Sequence, residues 1–302
     1  MHAPPCQCWF GTTGRPADQP LHFTHPMQAN QLPTQRGWAW LREGLALWLR
    51  NPALLTFSAF GYLLVLLVVS LFPFIGQAVA SLLMPVLSLG VLNACRAVDA
   101  GRKVGPDVLF SGFKANLPEL IKIGGLYLVA SFAVLFLTTL ADDGALMRVM
   151  TGGKIDEEVA GDPSLTLALI IALALSTPVM MAYWFAPLLV GWWKLPAVKA
   201  LFFSFYACLR NWRPFLAYSI ALALFGALLP GLVVGVIGMV SPTLATLLSV
   251  PVPLVLVPVV FASFYVNARE VFGLPGDVTS MPPPTDAPRN DSPADNEPRD
   301  AD

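Results

Sequence analysis

Residues 38–64 read WAWLREGLALWLRNPALLTFSAFGYLL, and this stretch decides the fold. It opens with apolar residues at helical spacing, turns at Asn51-Pro52, and then carries no charge from Ala53 to Phe72. As an α-helix that run is roughly 30 Å long at ~1.5 Å per residue, the thickness of a bilayer's hydrocarbon core. In lipid the backbone has to satisfy its own hydrogen bonds, so the run is a helix. Ahead of it, Trp38, Leu41, Leu45 and Trp48 fall on one helix face. Glu43 and Arg50 fall on the opposite side and Arg42 on the edge. Trp38, Trp40 and Trp48 are amphipathic rings suited to headgroup depth. The stretch predicts an amphipathic helix in the membrane interface, followed by a turn into the bilayer. The alternative, a helix on a soluble core, is disfavoured by the span that follows directly.

Composition agrees. Of 302 residues 56% are hydrophobic and 12% charged, with a mean hydropathy of +0.65; soluble domains carry about 25% charged residues. The four Cys (Cys6, Cys8, Cys95, Cys208) form no convincing disulfide framework. Cys95 and Cys208 fall near the same predicted membrane face, the reducing cytoplasmic one. All three His (His2, His22, His25) precede the membrane body, which therefore lacks the commonest general base and metal ligand.

The chain divides into a Pro-rich, disordered N-terminal segment (1–35), a six-span membrane domain (36–272) and a disordered Pro- and acid-rich cytoplasmic tail (273–302). Met27 is a plausible true start, and residues 1–26 lack the apolar core of a signal peptide. The spans are predicted at about 53–72, 74–95, 123–141, 165–193, 214–240 and 243–266. The fourth is longer than one crossing: Pro178 and Pro187 are expected to bend it, or its Trp192-Trp193 end lies along the interface. Pro85 is expected to kink the second, and Pro251, Pro253 and Pro258 to break up the sixth. Gly105-Pro106-Asp107 starts a further helix, on which Leu109, Phe113 and Leu117 repeat at intervals of four. Val198, Leu201, Phe205, Leu209 and Trp212 mark a third interfacial helix. Gly231 and Gly235 form a small-residue pair suited to close helix contact, within the chain or in self-association.

Orientation follows from the cations. With the N-terminus inside, 16 of the 18 Lys and Arg fall on the cytoplasmic side, leaving Arg148 and Lys154 outside. By the positive-inside rule both termini are cytoplasmic. A threefold arrangement is also visible. Asn51, Asn116 and Asn211 each follow an amphipathic segment, each is followed within three residues by Pro (Pro52, Pro118, Pro214), and each precedes a pair of spans. The expected fold is therefore all-α: a polytopic membrane helix bundle of six transmembrane helices, arranged as three hairpins each preceded by an interfacial amphipathic helix.

The strings RGWAWLREGLALWLRNP (36–52), LFSGFKAN (109–116) and NAREVFG (267–273) resemble an uncharacterised family of multi-span bacterial inner-membrane proteins. More loosely, they resemble the membrane domain attached to some glycerophosphodiester phosphodiesterases. The resemblance covers about Met27–Gly273 and implies inner-membrane residence with no established activity. The hydrolase half of such enzymes is absent, so no catalytic residue carries over.

Chemistry is sparse. No span has an ionisable group at its core, where one would cost ~2.5–3.5 kcal/mol and mark a relay. Gln77, Asn93, Ser176, Thr177 and Asn267 are the polar intramembrane groups; Asn93 and Asn267 are either a polar cytoplasmic mouth or helix-to-helix hydrogen bonds. Glu43, Asp99, Asp107, Glu119 and Glu270 lie near the inner face without a catalytic spacing. No nucleotide or zinc-hydrolase motif is present, Cys6-Gln-Cys8 fits no strong zinc pattern and Gly152-Gly153-Lys154 is too short for a phosphate cradle. No catalytic, cofactor-binding or metal residue is assigned, no cofactor is expected, and no nucleic-acid partner. The bilayer is the expected partner. Arg42, Arg50, Lys114, Arg210 and Arg213 are candidate contacts for anionic lipid headgroups, or else plain topology determinants. The expected function is a non-catalytic scaffold or envelope accessory; the alternative is a transporter or lipid-handling protein gated by Pro-broken helices.

Overall fold

The structure, a computed structural model, describes residues 29–72, 75–142 and 163–275. The cysteines and histidines of the N-terminal segment, the acidic loop with Gly152-Gly153-Lys154, and most of the tail lie outside the described residues. Among those described there are helices and no strands. Six helical stretches are long and apolar enough to cross a membrane.

Helix α1 (Arg36–Arg50) ends at Asn51, whose side chain accepts a hydrogen bond from Leu54 N at 3.2 Å and caps α2 (Pro52–Ser70). Proline at the first position of α2 lacks only a donor the helix does not need. A short link joins α2 to α3 (Gly76–Asp99), the first hairpin. A 3₁₀ segment (Pro106–Lys114) follows, then α4 (Leu117–Asp142) and α5 (Pro163–Trp184), the second hairpin. A break at Phe185 leads into α6 (Ala186–Trp193). Helix α7 (Ala197–Arg210) precedes the third hairpin, built from α8 (Trp212–Leu222), a π-helical segment (Ala223–Leu228), α9 (Leu229–Val240), α10 (Pro242–Ser249) and α11 (Pro251–Phe272).

The predicted hairpins are present, with four corrections. The third predicted span begins at Leu117, because Pro118 in the first turn of α4 starts the helix before the charged Glu119 and Lys122 have cleared the interface. The fourth breaks at Phe185, two residues ahead of Pro187, one of its two expected bends, and not at Pro178; Pro187 has no N–H to give, and the Phe185 N–H leaves the helix to donate to Ser204 Oγ at 2.9 Å. The fifth widens into a π turn two to seven residues ahead of Pro230, where the proline ring would otherwise collide with the backbone one turn back. The sixth breaks before Pro251 as expected, but Pro258 stays inside α11, and it runs on to Phe272, six residues past its predicted end.

The segment after Gly105-Pro106 is a 3₁₀ helix, so the expected four-residue repeat does not form one face. Leu109 and Gly112 are buried, and Phe113 is exposed. Close approach explains the tightening. Gly90 of α3 meets the Leu109 carbonyl and Gly112 meets that of Val86, so this segment lies backbone to backbone on α3.

Helices α1 and α7 both turn an apolar stripe outward, as an interfacial helix requires, but Trp40, expected at headgroup depth, is instead fully buried in the core. Trp38, Leu45, Val198 and Leu209 are all at least 40% exposed. Their opposite faces are not solvated but docked. Small residues on α7 (Ala197, Ala200, Ser204, Ala207) are buried, and α1 buries Gly37, Trp40, Gly44 and Leu47. Small faces permit close contact where lipid gives helices no hydrophobic drive to associate. Gly37 lies against the backbone of α8 at Pro214 and Tyr218, and Gly44 against Ser263 of α11. Gly231 and Gly235, by contrast, face no described part of the chain, and α9 buries no residue.

The core therefore gathers at one end of the bundle, around the fully buried Trp40, Phe185, Tyr218 and Tyr265. Gly44→Leu should lower thermal stability in detergent by about 1–3 kcal/mol, because its side chain collides with the α11 backbone. Gly231→Ala should leave the melting temperature unchanged or slightly higher. Equal losses from the two changes would contradict the docking of α1.

Candidate functional site

Arg36, Glu43 and Arg50 stand seven residues apart, two helical turns each, and so share one stripe of α1. The ends of α3 and α11 bring Asp99, Arg269 and Glu270 to that stripe. Arg36 pairs with Glu270 at 2.6 Å and with Glu43 at 2.8 Å. Arg269 pairs with Asp99 at 2.5 Å and lies 3.9 Å from Glu43, and Arg50 reaches Asp99 at 3.2 Å. The result is an alternating chain of three acids and three bases, Glu270–Arg36–Glu43–Arg269–Asp99–Arg50, with no net charge. The Glu270 carboxylate beside it raises the affinity of Arg36 for its proton, against the opposing cost of burial and with a further contribution from Glu43. Arg36 therefore stays charged at any accessible pH.

Aromatic donors close the remaining acceptor positions. Trp40 Nε1 donates to Glu270 and the Tyr265 hydroxyl to Asp99 at 2.9 Å. Tyr265 also meets Trp192 edge to face, and Trp192 Nε1 donates to Asn93 at 2.8 Å. Asn93 in turn donates to Ser111 of the 3₁₀ segment at 2.8 Å. Asn93 is thus a helix-to-helix hydrogen bond. Asn267, fully buried where Asn93 is only partly so, has no partner among the described residues for either amide atom.

The N-terminal strap 29–35 crosses the same end. Leu32 N donates to Asn211 Oδ1 at 2.9 Å, and Asn211 Nδ2 donates to Asn30 O at 2.9 Å and Ala207 O at 3.0 Å. Asn30 N reaches Val271 O at 2.9 Å. Asn211, fully buried, therefore ties the strap to the α7–α8 corner. Glu119 fastens a neighbouring corner: it accepts from Ala197 N at 2.7 Å and from Lys122 at 2.5 Å.

The five cations singled out from sequence are not brought together. Arg50 is engaged with Asp99, Arg213 lies over the Trp212 ring at 5.5 Å, and Lys114 and Arg210 are exposed at the ends of their own elements. Arg42 lines a lateral apolar groove of about 500 Å³. Trp38, Leu41 and Leu45 of α1 form one wall, Phe225, Gly226 and Pro230 a second, and α11 from Pro251 to Val259 the third. A second groove of about 410 Å³ lies beside Pro178, between α5 and the α7–α8 corner, with Thr177, Met180, Met181 and Trp212 among its walls.

Burial pushes the Cys208 thiol up to about 12, which leaves it protonated at neutral pH. The free Cys95 is also buried.

No protein-family model matches the chain, and no solved structure matches it significantly. A probable inner membrane protein of Burkholderia thailandensis is 36% identical over 259 residues, which cover 82% of this chain and 95% of the relative. The chain belongs to this family. Inner-membrane residence, which the resemblance implied and six apolar helices accompany, agrees with the relative's name. The looser likeness to glycerophosphodiester phosphodiesterase membrane domains finds no support in these comparisons.

Sequence reading missed the six-charge chain. The signal was there in part: Arg36, Glu43 and Arg50 alternate in sign at two-turn spacing. Their partners are up to 234 positions away (Arg36 to Glu270), where no local pattern reaches. Asp99→Ala should destabilise the protein by about 2–4 kcal/mol, since it strands the partly buried Arg269 and removes the Tyr265 acceptor. Arg50→Ala, at the exposed end, should cost no more than about 1 kcal/mol. Thermal melts of both variants in one detergent check the contrast. In a Cys6→Ser/Cys8→Ser background, maleimide at pH 7.5 should label native protein negligibly and denatured protein at both remaining thiols.

Proposed function

We propose that the protein is a non-catalytic, lipid-handling component of the inner membrane with both termini in the cytoplasm. The observation that carries lipid handling is the pair of apolar grooves beside the proline-interrupted helices. One flanks Pro178 and the other contains Pro230 and Pro251. Both have the volume of a small-molecule site, about 300–1,000 Å³, and apolar walls. The first opens where Phe225 and Val255 are 43% and 39% exposed and the second where Met180 and Leu216 are 43% and 52% exposed, on the flank of the bundle, so their natural contents are acyl chains.

The non-catalytic part of the reading is supported by how the acids at the charged end are used. Glu43, Asp99, Glu119 and Glu270 each accept from a cation, so none stands free as a general base. The scaffold reading draws on the same chain of charges, which fixes α1, α3 and α11 as one frame. The cytoplasmic placement of the termini is supported by the cation distribution, and the charged end of the bundle is then the cytoplasmic end.

Two measurements test this. Reporter fusions after residue 150 and after residue 205 should report opposite sides of the membrane; the same side for both would overturn the topology. Protein extracted with native lipid and examined by mass spectrometry should retain phospholipid after detergent exchange. Complete loss of lipid, with a reproducible stoichiometric protein partner in its place, would overturn lipid handling in favour of the scaffold.

A further inference from the structure

Arg42 differs from the other arginines of α1. Arg36 and Arg50 have carboxylate partners; Arg42 has no ion pair or hydrogen bond among the described residues. Its neighbour Glu43 is already held by Arg36 and Arg269. The guanidinium is exposed and is the one charged group on the wall of the 500 Å³ groove. Beside it the Trp38 ring meets Phe225 at 4.8 Å between centroids, an indole at the depth where indoles favour headgroups.

The groove exists for a stated structural reason. Pro230 forces the π turn at Ala223–Leu228, which displaces α8 and α9 from α11, and Pro251 starts α11 afresh. Gly226 holds the floor, since a Cβ there would come within 3.1 Å of Leu256. The outward apolar stripe of α1 covers the side next to the charged end. An apolar slot with a cation at its rim matches one chemical class: an acyl chain attached to an anionic phosphate.

We propose that this groove binds one anionic phospholipid, with an acyl chain between α1, α9 and α11 and the phosphate on Arg42. The inference rests on the lipid-handling reading and adds the site and the headgroup charge. Guanidinium matches phosphate oxygens in bidentate geometry. A zwitterionic headgroup would bring an ammonium, and no acid lines this groove to receive it. One basic residue near an anionic surface corresponds to roughly a fivefold preference.

The test uses full-length protein in nanodiscs of equimolar phosphatidylglycerol and phosphatidylethanolamine, with tightly held lipid counted by native mass spectrometry after gentle release. The wild type should hold phosphatidylglycerol about fivefold over the bulk ratio. Arg42→Gln should return the ratio to that of the bulk, Arg42→Lys should keep part of the preference, and Arg210→Gln should keep all of it. Val255→Trp, which fills the slot, should lower retention of both lipids. Enrichment that survives Arg42→Gln, or falls equally with Arg210→Gln, overturns the proposal. Lipid held by the wild type at the bulk ratio also overturns it while leaving lipid handling intact. A lipid-free dimer that Val255→Trp dissociates would assign the groove to a second copy of the chain and overturn it as well.

Discussion

Helix α1 lies across the bundle rather than beside it, and the alternating chain of six charges is what holds it there. Gly37 and Gly44 let its backbone touch α8 and α11 directly. That contact places Arg36, Glu43 and Arg50 over the ends of α3 and α11, where each charge finds its opposite. Removing ions from water is costly, and attraction offsets that cost only when hydrogen-bond geometry is good and the remaining lone pairs are satisfied. Here Trp40 and Tyr265 donate to the carboxylates the arginines leave partly open. The site lies at the end of the bundle, so the groups stay partly hydrated and the penalty is smaller than at the membrane centre. The strap at 29–35, the α7–α8 corner through Asn211, and the 3₁₀ segment through Asn93 and Trp192 all attach to elements fixed by this chain.

The consequence is a bundle with unequal ends. The charged end holds the aromatic core and the polar network. Farther along, α9 buries nothing, the fifth span carries a π turn and the sixth is interrupted before Pro251. Proline removes donors and forces local rearrangement, so these helices cannot pack ridge into groove along their full length. What the packing fails to fill becomes lateral groove. Rigidity at one end and incomplete packing toward the other are two results of the same sequence, and the functional reading lives on the second.

The six spans, their pairing into hairpins and the amphipathic segment ahead of each pair were legible because bilayer thickness imposes one length on every crossing. Asn51-Pro52 could be read as a turn because Pro starts a helix, as it does here; that the Asn51 side chain would cap the following helix at its N-terminus was not read. The docked faces of α1 and α7 were not legible. Hydrophobic periodicity points to bulky residues, which in a membrane face lipid, whereas Gly44 or Ala200 signals a contact only once its partner backbone is known. The 3₁₀ turn was hidden for a similar reason, since it depends on Gly90 of the preceding helix. Of the candidate site residues, Arg42 could be named from sequence; that it alone would border a groove, while Arg50 went to Asp99, could not.

The central claim is that charges on α1 and α11 stabilise one another across the bundle. A double-mutant cycle on Arg36 and Glu270, measured as thermal stability of Arg36→Ala, Glu270→Ala and the double variant in one detergent, tests it most directly. The account predicts a coupling energy of about 1–3 kcal/mol, with the double variant losing clearly less than the two single losses combined. Strict additivity, with the two residues acting independently, would contradict it.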